Sequence, residues 1–243
     1  MNHPPQAPAP SDSPRPWTAD IGERMRRYLW LKVTGVSVFT WIFFIGYFHL
    51  LRHPSSAVAE MPLTALDRLI PFQPQWLAAY VTLWLYVGVA PGLLLRFVDL
   101  AVYGLWAAAL CGAGLACFYF WPTAVPPLRV DVSHLAGFDL LQGVDAAGNA
   151  CPSLHVAVAM FSAIWIEHLL RGARVPAALR LANAGWFVAI TYSTLAIKQH
   201  VVLDALTGVL LGIPFALASL RWRPGGQPWR KAPGRADIIV SIR

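Results

Sequence analysis

Residues 98–120 read VDLAVYGLWAAALCGAGLACFYF, with Asp99 as the only charge. As a helix at 1.5 Å per residue this stretch spans about 35 Å, enough to cross the ~30 Å hydrocarbon core of a bilayer. In that medium only a helix or a closed barrel satisfies every backbone group, and strand-like alternation is absent from the run. Five further apolar runs lie at about 33–51, 76–95, 153–170, 181–197 and 201–220. The expected fold is therefore all-α: a polytopic membrane protein with six transmembrane helices. The fifth run is short, and Pro214 is expected to kink the sixth.

The rest of the composition agrees. Of 243 residues, 57% are hydrophobic and 13% charged; soluble domains carry about 25% charge. This excludes a disordered chain, a coiled coil and a disulfide scaffold, and it argues against an ordinary soluble enzyme. Cys111, Cys117 and Cys151 show neither metal-ligand spacing nor a disulfide framework and read as small apolar fillers. Residues 1–28, proline-rich and then basic, are expected to be a disordered cytoplasmic tail. Residues 29–221 form the membrane domain, and 222–243 form a second cytoplasmic tail. The first apolar run reads as an uncleaved anchor.

Lysine and arginine placement sets the orientation. With the N-terminus in the cytoplasm, fifteen of the 19 basic residues fall on the cytoplasmic side, leaving Arg52, Arg68, Arg129 and Lys198 outside. Both termini are expected in the cytoplasm, and the short connections point to a bacterial inner membrane. The asymmetry also accounts for the net charge of +7 without nucleic acid.

Three polar segments then converge on the external side. One is the loop of about 121–152, with Trp121-Pro122-Thr123-Ala124-Val125-Pro126-Pro127-Leu128-Arg129. The second is Asn149-Ala150-Cys151-Pro152-Ser153-Leu154-His155, which opens the fourth helix. The third is Tyr192 to Asp204, between the fifth and sixth helices. Pro152 and Ser153 start a helix, whose backbone N–H groups and dipole favour an anion. His200 and Asp204 stand four apart, on one helix face. A carboxylate at that spacing holds one imidazole nitrogen and leaves the other free as a nucleophile. Lys198 adds a cation. Taken singly, His200 with Asp204 also reads as a satisfied buried pair and Lys198 as a snorkelling side chain; their convergence with His155 points to phosphoryl chemistry. His3, His49, His53, His134 and His168 read as bystanders.

The pattern resembles the type-2 phosphatidic acid phosphatase superfamily. Its Pro-Ser-Gly-His signature is matched by Pro152-Ser153-Leu154-His155. Its Ser-Arg, five residues, His, three residues, Asp is matched in spacing by Ser193-Thr194, His200 and Asp204. Leu154 and Thr194 are departures. The first signature part, Lys, six residues, Arg-Pro, is missing, and the stretch around 122–127 stands in its place. The Pro-Ser-Leu-His form is similar to the inositol phosphorylceramide synthase-like branch, which transfers a phospho-head group between lipids. The resemblance implies His200 as nucleophile, Asp204 orienting it and His155 as general acid and base. It also implies that Ser153 and the Leu154 backbone N–H hold the phosphoryl oxygens, with Lys198 and Arg129 in place of the lost cations. It requires no metal and no cofactor. The implied partners are a lipid phosphate substrate and membrane lipids; oligomeric state is not legible. Two other classes compete: a metal-dependent hydrolase liganded by His155, His200 and Asp204, and a transporter or non-catalytic membrane protein, which inverted repeats would support.

Overall fold

The computed structural model describes residues 16–127 and 149–222. Its helices are α1 (Trp17–Arg26), α2 (Leu29–Arg52), α3 (Ala65–Leu69), α4 (Leu77–Val81), α5 (Leu83–Gly92), α6 (Phe97–Phe120), α7 (Leu154–Gly172), α8 (Ala177–Ala196) and α9 (Val202–Arg221). Two short strands, β1 (Ala59–Glu60) and β2 (Thr123–Ala124), pair in parallel with Ala59 opposite Thr123. The chain is mostly helical, and among the described residues α2, α6, α7 and α9 are long and apolar enough to cross a membrane.

The other two expected spans take a different form. The second apolar run is broken into a 3-10 turn at Pro74–Trp76, then α4, then α5. At the break the Thr82 hydroxyl donates back to Ala79 O at 2.6 Å, the local bond that bends helices. The fifth run, α8, has 20 residues but carries Arg180 and Asn183, and it falls outside the long apolar set. Residues 17–26 correct the expected extent of the N-terminal tail, because they form α1. Asp20 and Arg24 pair across one turn at 2.9 Å, Ile21 packs on the core, and the Lys32 ammonium donates to Arg24 O at 2.7 Å. Residues 1–15 and 223–243 of the expected tails, with Arg129 and His134, lie outside the described residues.

Helix α7 is the hub. Val156, Ala157, Ala159, Phe161 and Trp165 along it are fully buried. Helix α9 lies against it because the facing positions are small. A Cβ on Gly208 would stand 2.4 Å from Ser153 O, and one on Gly212 would stand 2.5 Å from Ala157 O. This small-xxx-small seam brings two backbones together in lipid, where burial of apolar surface gives no drive between helices. Polar bonds add to it. Trp165 Nε1 donates to Ser219 Oγ at 2.8 Å. Asn183 links α7 and α5: its amide donates to Ala163 O at 3.1 Å and its Oδ1 accepts from Tyr86 OH at 2.8 Å. Such bonds contribute about 0.6 kcal/mol each in membranes.

Candidate active site

The start of α7 is held from three sides. Ser153 is its N-cap, with the side chain accepting from Val156 N at 3.2 Å. The Ser153 N–H donates to Asp204 O at 2.8 Å, which ties α7 to the first turn of α9. Thr123 steers the approach: its carbonyl accepts from Ala150 N at 3.0 Å and its hydroxyl from Cys151 N at 2.8 Å. The segment replacing the first signature part thus becomes β2 and positions the segment that precedes the helix. The Leu154 side chain seats where a Cβ on Gly114 of α6 would stand, 2.3 Å from Leu154 Cδ2.

His155 follows in the first turn. Its ring stacks on Tyr80 at 4.1 Å and 16° and meets Trp84 edge-on at 6.5 Å. The backbone of Tyr80 hydrogen-bonds the ring. His155 Nε2 is buried with no hydrogen-bond partner in the structure.

His200 sits on a turn built by the end of α8. Lys198 takes a left-handed conformation, φ 61°. Its N–H bonds Leu195 O at 3.2 Å, and the Gln199 N–H bonds Thr194 O at 3.0 Å, the pairing of a Schellman motif. Thr194 O also accepts from His200 N at 3.1 Å. The position that carries arginine in the signature therefore serves here through its carbonyl. His200 Nδ1 faces Asp204 Oδ2 at 3.0 Å. Asp204 is fully buried, and its Oδ1 has no partner. With Nδ1–H donating to the carboxylate, Nε2 keeps a free lone pair.

A latch from the first long loop clamps this turn. Asp67 Oδ1 accepts from Val202 N at 2.8 Å and so caps α9 from outside. Asp67 Oδ2 accepts from Thr64 N at 2.8 Å and from its hydroxyl at 2.6 Å. The Lys198 ammonium donates to Asp67 O at 3.0 Å and to Ile70 O at 2.5 Å. Burial disfavours the charged Asp67 carboxyl, but its bonds with Thr64 and Val202 and the Lys198 charge outweigh this and hold its pKa below the ordinary value. Burial lowers the Lys198 pKa, against the attraction of Asp67. Phe72, Trp76, Leu77 and Tyr80 pack over Ile197 beneath the latch.

Asn149, His155 and His200 line one end of a partly open cavity of about 820 Å³ bordered by α2, α4, α5, α6 and α7. The structure thus brings His155, His200 and Asp204 together with Ser153 and Leu154. The Ser153 hydroxyl accepts a helix-capping bond, and two of the three Lys198 donors hold the loop latch. Among the described residues no group of three His, Cys, Asp or Glu is placed to hold a metal ion. Sequence reasoning missed four contributors: Asp67, Tyr80, the Gly208–Gly212 seam, and Asn149. The Asn149 amide donates to Tyr47 O at 2.9 Å while its Oδ1 stays buried without a partner. The signal for the seam was present as glycines four apart; nothing in a single sequence links Asp67 to Val202.

No curated protein and no solved structure matches the chain. Residues 108–227, a span containing His155, His200 and Asp204, match the family model of the PAP2 superfamily.

Proposed function

We propose that this chain is a PAP2-superfamily phosphatase or phosphotransferase of the membrane, acting on lipid phosphates through a phosphohistidine. The observation that carries the reading is the His200–Asp204 pair opening, beside His155, onto one apolar cavity. A phosphate-bearing head group placed at that end has hydrocarbon surroundings for its tail.

The geometry supports the following steps. Asp204 Oδ2 holds the Nδ1–H of His200 and stabilises the charge that develops on the ring. His200 Nε2 attacks phosphorus, an N–P bond forms, and the P–O bond to the lipid breaks. Protonated His155 gives its proton to the leaving alkoxide. Neutral His155 then takes a proton from water, the water oxygen attacks phosphorus, and phosphate leaves with both rings restored. When an acceptor alcohol replaces water, the same steps transfer the head group, as in the inositol phosphorylceramide synthase-like branch. The N–H groups opening α7, Leu154 among them, face the developing negative charge. The proposed setting has six spans, counting α4–α5 and α8, with the site on the extracytoplasmic side of a bacterial inner membrane. The distribution of lysine and arginine supports this.

The test is phosphate release by detergent-purified protein, with chelator present, from phosphatidic acid and from an isoprenyl pyrophosphate. His200→Ala should abolish release while the protein still inserts; wild-type rates in that variant would sink the assignment. Asp204→Asn should lower kcat by about 10⁴-fold, by analogy with loss of the orienting carboxylate in a triad. Formation of inositol phosphate together with the freed lipid alcohol on adding inositol, with no phosphate released, would favour the transferase reading.

A further inference from the structure

The two histidines are held in different ways. His200 has the Asp204 carboxylate on Nδ1 at 3.0 Å. Among the described residues no carboxylate pairs with His155, and its Nε2 is buried without a partner. What covers His155 is an aromatic face. The Tyr80 ring lies flat on the imidazole, with centroids 4.1 Å apart and planes 16° from parallel. Trp84 meets the edge of the same ring. A cation within about 6 Å of an aromatic centroid is attracted to the face. The stack therefore favours the charged imidazole while occupying neither of its nitrogens.

Tyr80 is anchored to the helix that delivers His200. It stands in α4, just before the break at Thr82, and packs over Ile197 at the end of α8. Gln73 ties the start of this segment to the same place. Its N–H donates to Ala196 O at 2.8 Å and its amide to Tyr192 OH at 2.7 Å, while its Oε1 accepts from Trp76 Nε1 at 3.2 Å. The charges that face His155 are few. His200, with Asp204 behind it, shares its end of the cavity. Of the other titratable side chains in the lining, Tyr47, Tyr103 and Cys111 bring no charge at neutral pH. Lys32 stands about 22 Å from Tyr47 along α2, with its ammonium given to Arg24 O and Gly92 O.

We propose that Tyr80 is the positioning residue of the general acid: its face fixes the plane of His155 and favours the protonated ring in the step that expels the alkoxide. The proposal rests on the phosphohistidine reading of the site and adds a residue to it. In that step the proton passes from His155 to the leaving oxygen as the P–O bond breaks and the N–P bond to His200 forms. His155 is then neutral, and it takes a proton from water or an acceptor alcohol in the next step. A paired carboxylate would hold the proton more tightly than an aromatic face does. The weaker hold suits a ring that changes charge twice in each turnover.

The test is kcat/KM against pH for full-length protein in detergent, with inositol present so that hydrolysis and transfer both register. The substrate is phosphatidic acid or, where wild type prefers it, an isoprenyl pyrophosphate. This parameter reports the free enzyme, in which His200 must be neutral and His155 protonated, so the alkaline limb follows His155. Tyr80→Leu should move that limb to lower pH by about one unit. Tyr80→Phe keeps the face and should leave the limb in place. The midpoint of a limb does not depend on how much of the protein is folded, so a purely structural role would lower the profile without moving it. Tyr80→pentafluorophenylalanine keeps the shape of the ring but withdraws charge from its face, and should move the limb as leucine does. A limb unmoved in both of those variants, or moved as far by Tyr80→Phe as by Tyr80→Leu, would overturn the role of Tyr80 alone. Wild type inactive at every pH would overturn the phosphohistidine reading, and the role of Tyr80 with it.

Discussion

At position 154 the protein has leucine where the signature has glycine, and at position 114, on the facing helix α6, it has glycine. The two fit: Leu154 occupies the space a side chain at Gly114 would need. Lys198 is a similar case. It holds a left-handed conformation that costs a residue with a Cβ about 1–2 kcal/mol, a place where glycine is the common choice. Its ammonium on the Asp67 and Ile70 carbonyls offsets that cost. Lys198→Met should thus lower Tm and lower kcat, because the His200 turn loses its clamp. A raised KM with unchanged Tm would instead return Lys198 to the phosphate. Asp67→Asn should destabilise the protein by about 1–3 kcal/mol at neutral pH. Because the folded carboxyl has a lowered pKa, its contribution is full above the unfolded value near 4 and fades as pH falls through the folded value. A Tm–pH curve should show wild type and variant converging at acid pH. The histidines and Asp204 were legible because chemistry needs those residue types at that spacing. Asn149 was not, because its role comes from one amide nitrogen spent on Tyr47 O and one oxygen left over.

Among the elements, the α7–α9 pair sets the precision of the site. His155 stands in the first turn of one helix, Asp204 in the first turn of the other, and His200 on the turn just before it. The Gly208–Gly212 seam and the Ser153–Asp204 backbone bond fix their separation. Gly208→Ala places a methyl against Ser153 O and should cost about 1–3 kcal/mol in stability, with activity falling further than the Tm change explains. Gly88→Ala, where a Cβ meets nothing within 4 Å, is the control and should match wild type in both assays. Hydropathy located α2, α6, α7 and α9, since length and apolar content are local properties. It missed the break at Thr82 because a hydroxyl bonding back to Ala79 O leaves the apolar run uninterrupted. It placed residues 17–26 in a tail because their partners, Lys32 and the core around Ile21, lie outside the segment.

For the molecule as a whole, orientation rests on the distribution of lysine and arginine. Both Ser56, in the loop before β1, and Ala178, in the first turn of α8, are exposed. In a variant lacking the native cysteines, Ser56→Cys should react with an impermeant maleimide on intact cells, and Ala178→Cys only after permeabilisation. The reverse labelling would invert the topology and put the site on the cytoplasmic face. The second long loop was expected to matter most. The first loop matters as much, through β1 pairing with β2 and through the Asp67 latch. A loop's importance depends on what it touches, and a single sequence does not record that.

The latch also has a consequence for biogenesis. Lys198 and Asp67 are 131 residues apart in the chain, and Val202 and Asp67 are 135 apart. Asp67 leaves the ribosome early, but both of its long-range partners arrive with the last helix. A nascent chain halted before Val202 holds His155 on an inserted helix with no Asp204 carbonyl to cap against. In this order of synthesis the reactive centre is the last thing to form, so a partly inserted chain is chemically silent toward the lipids around it.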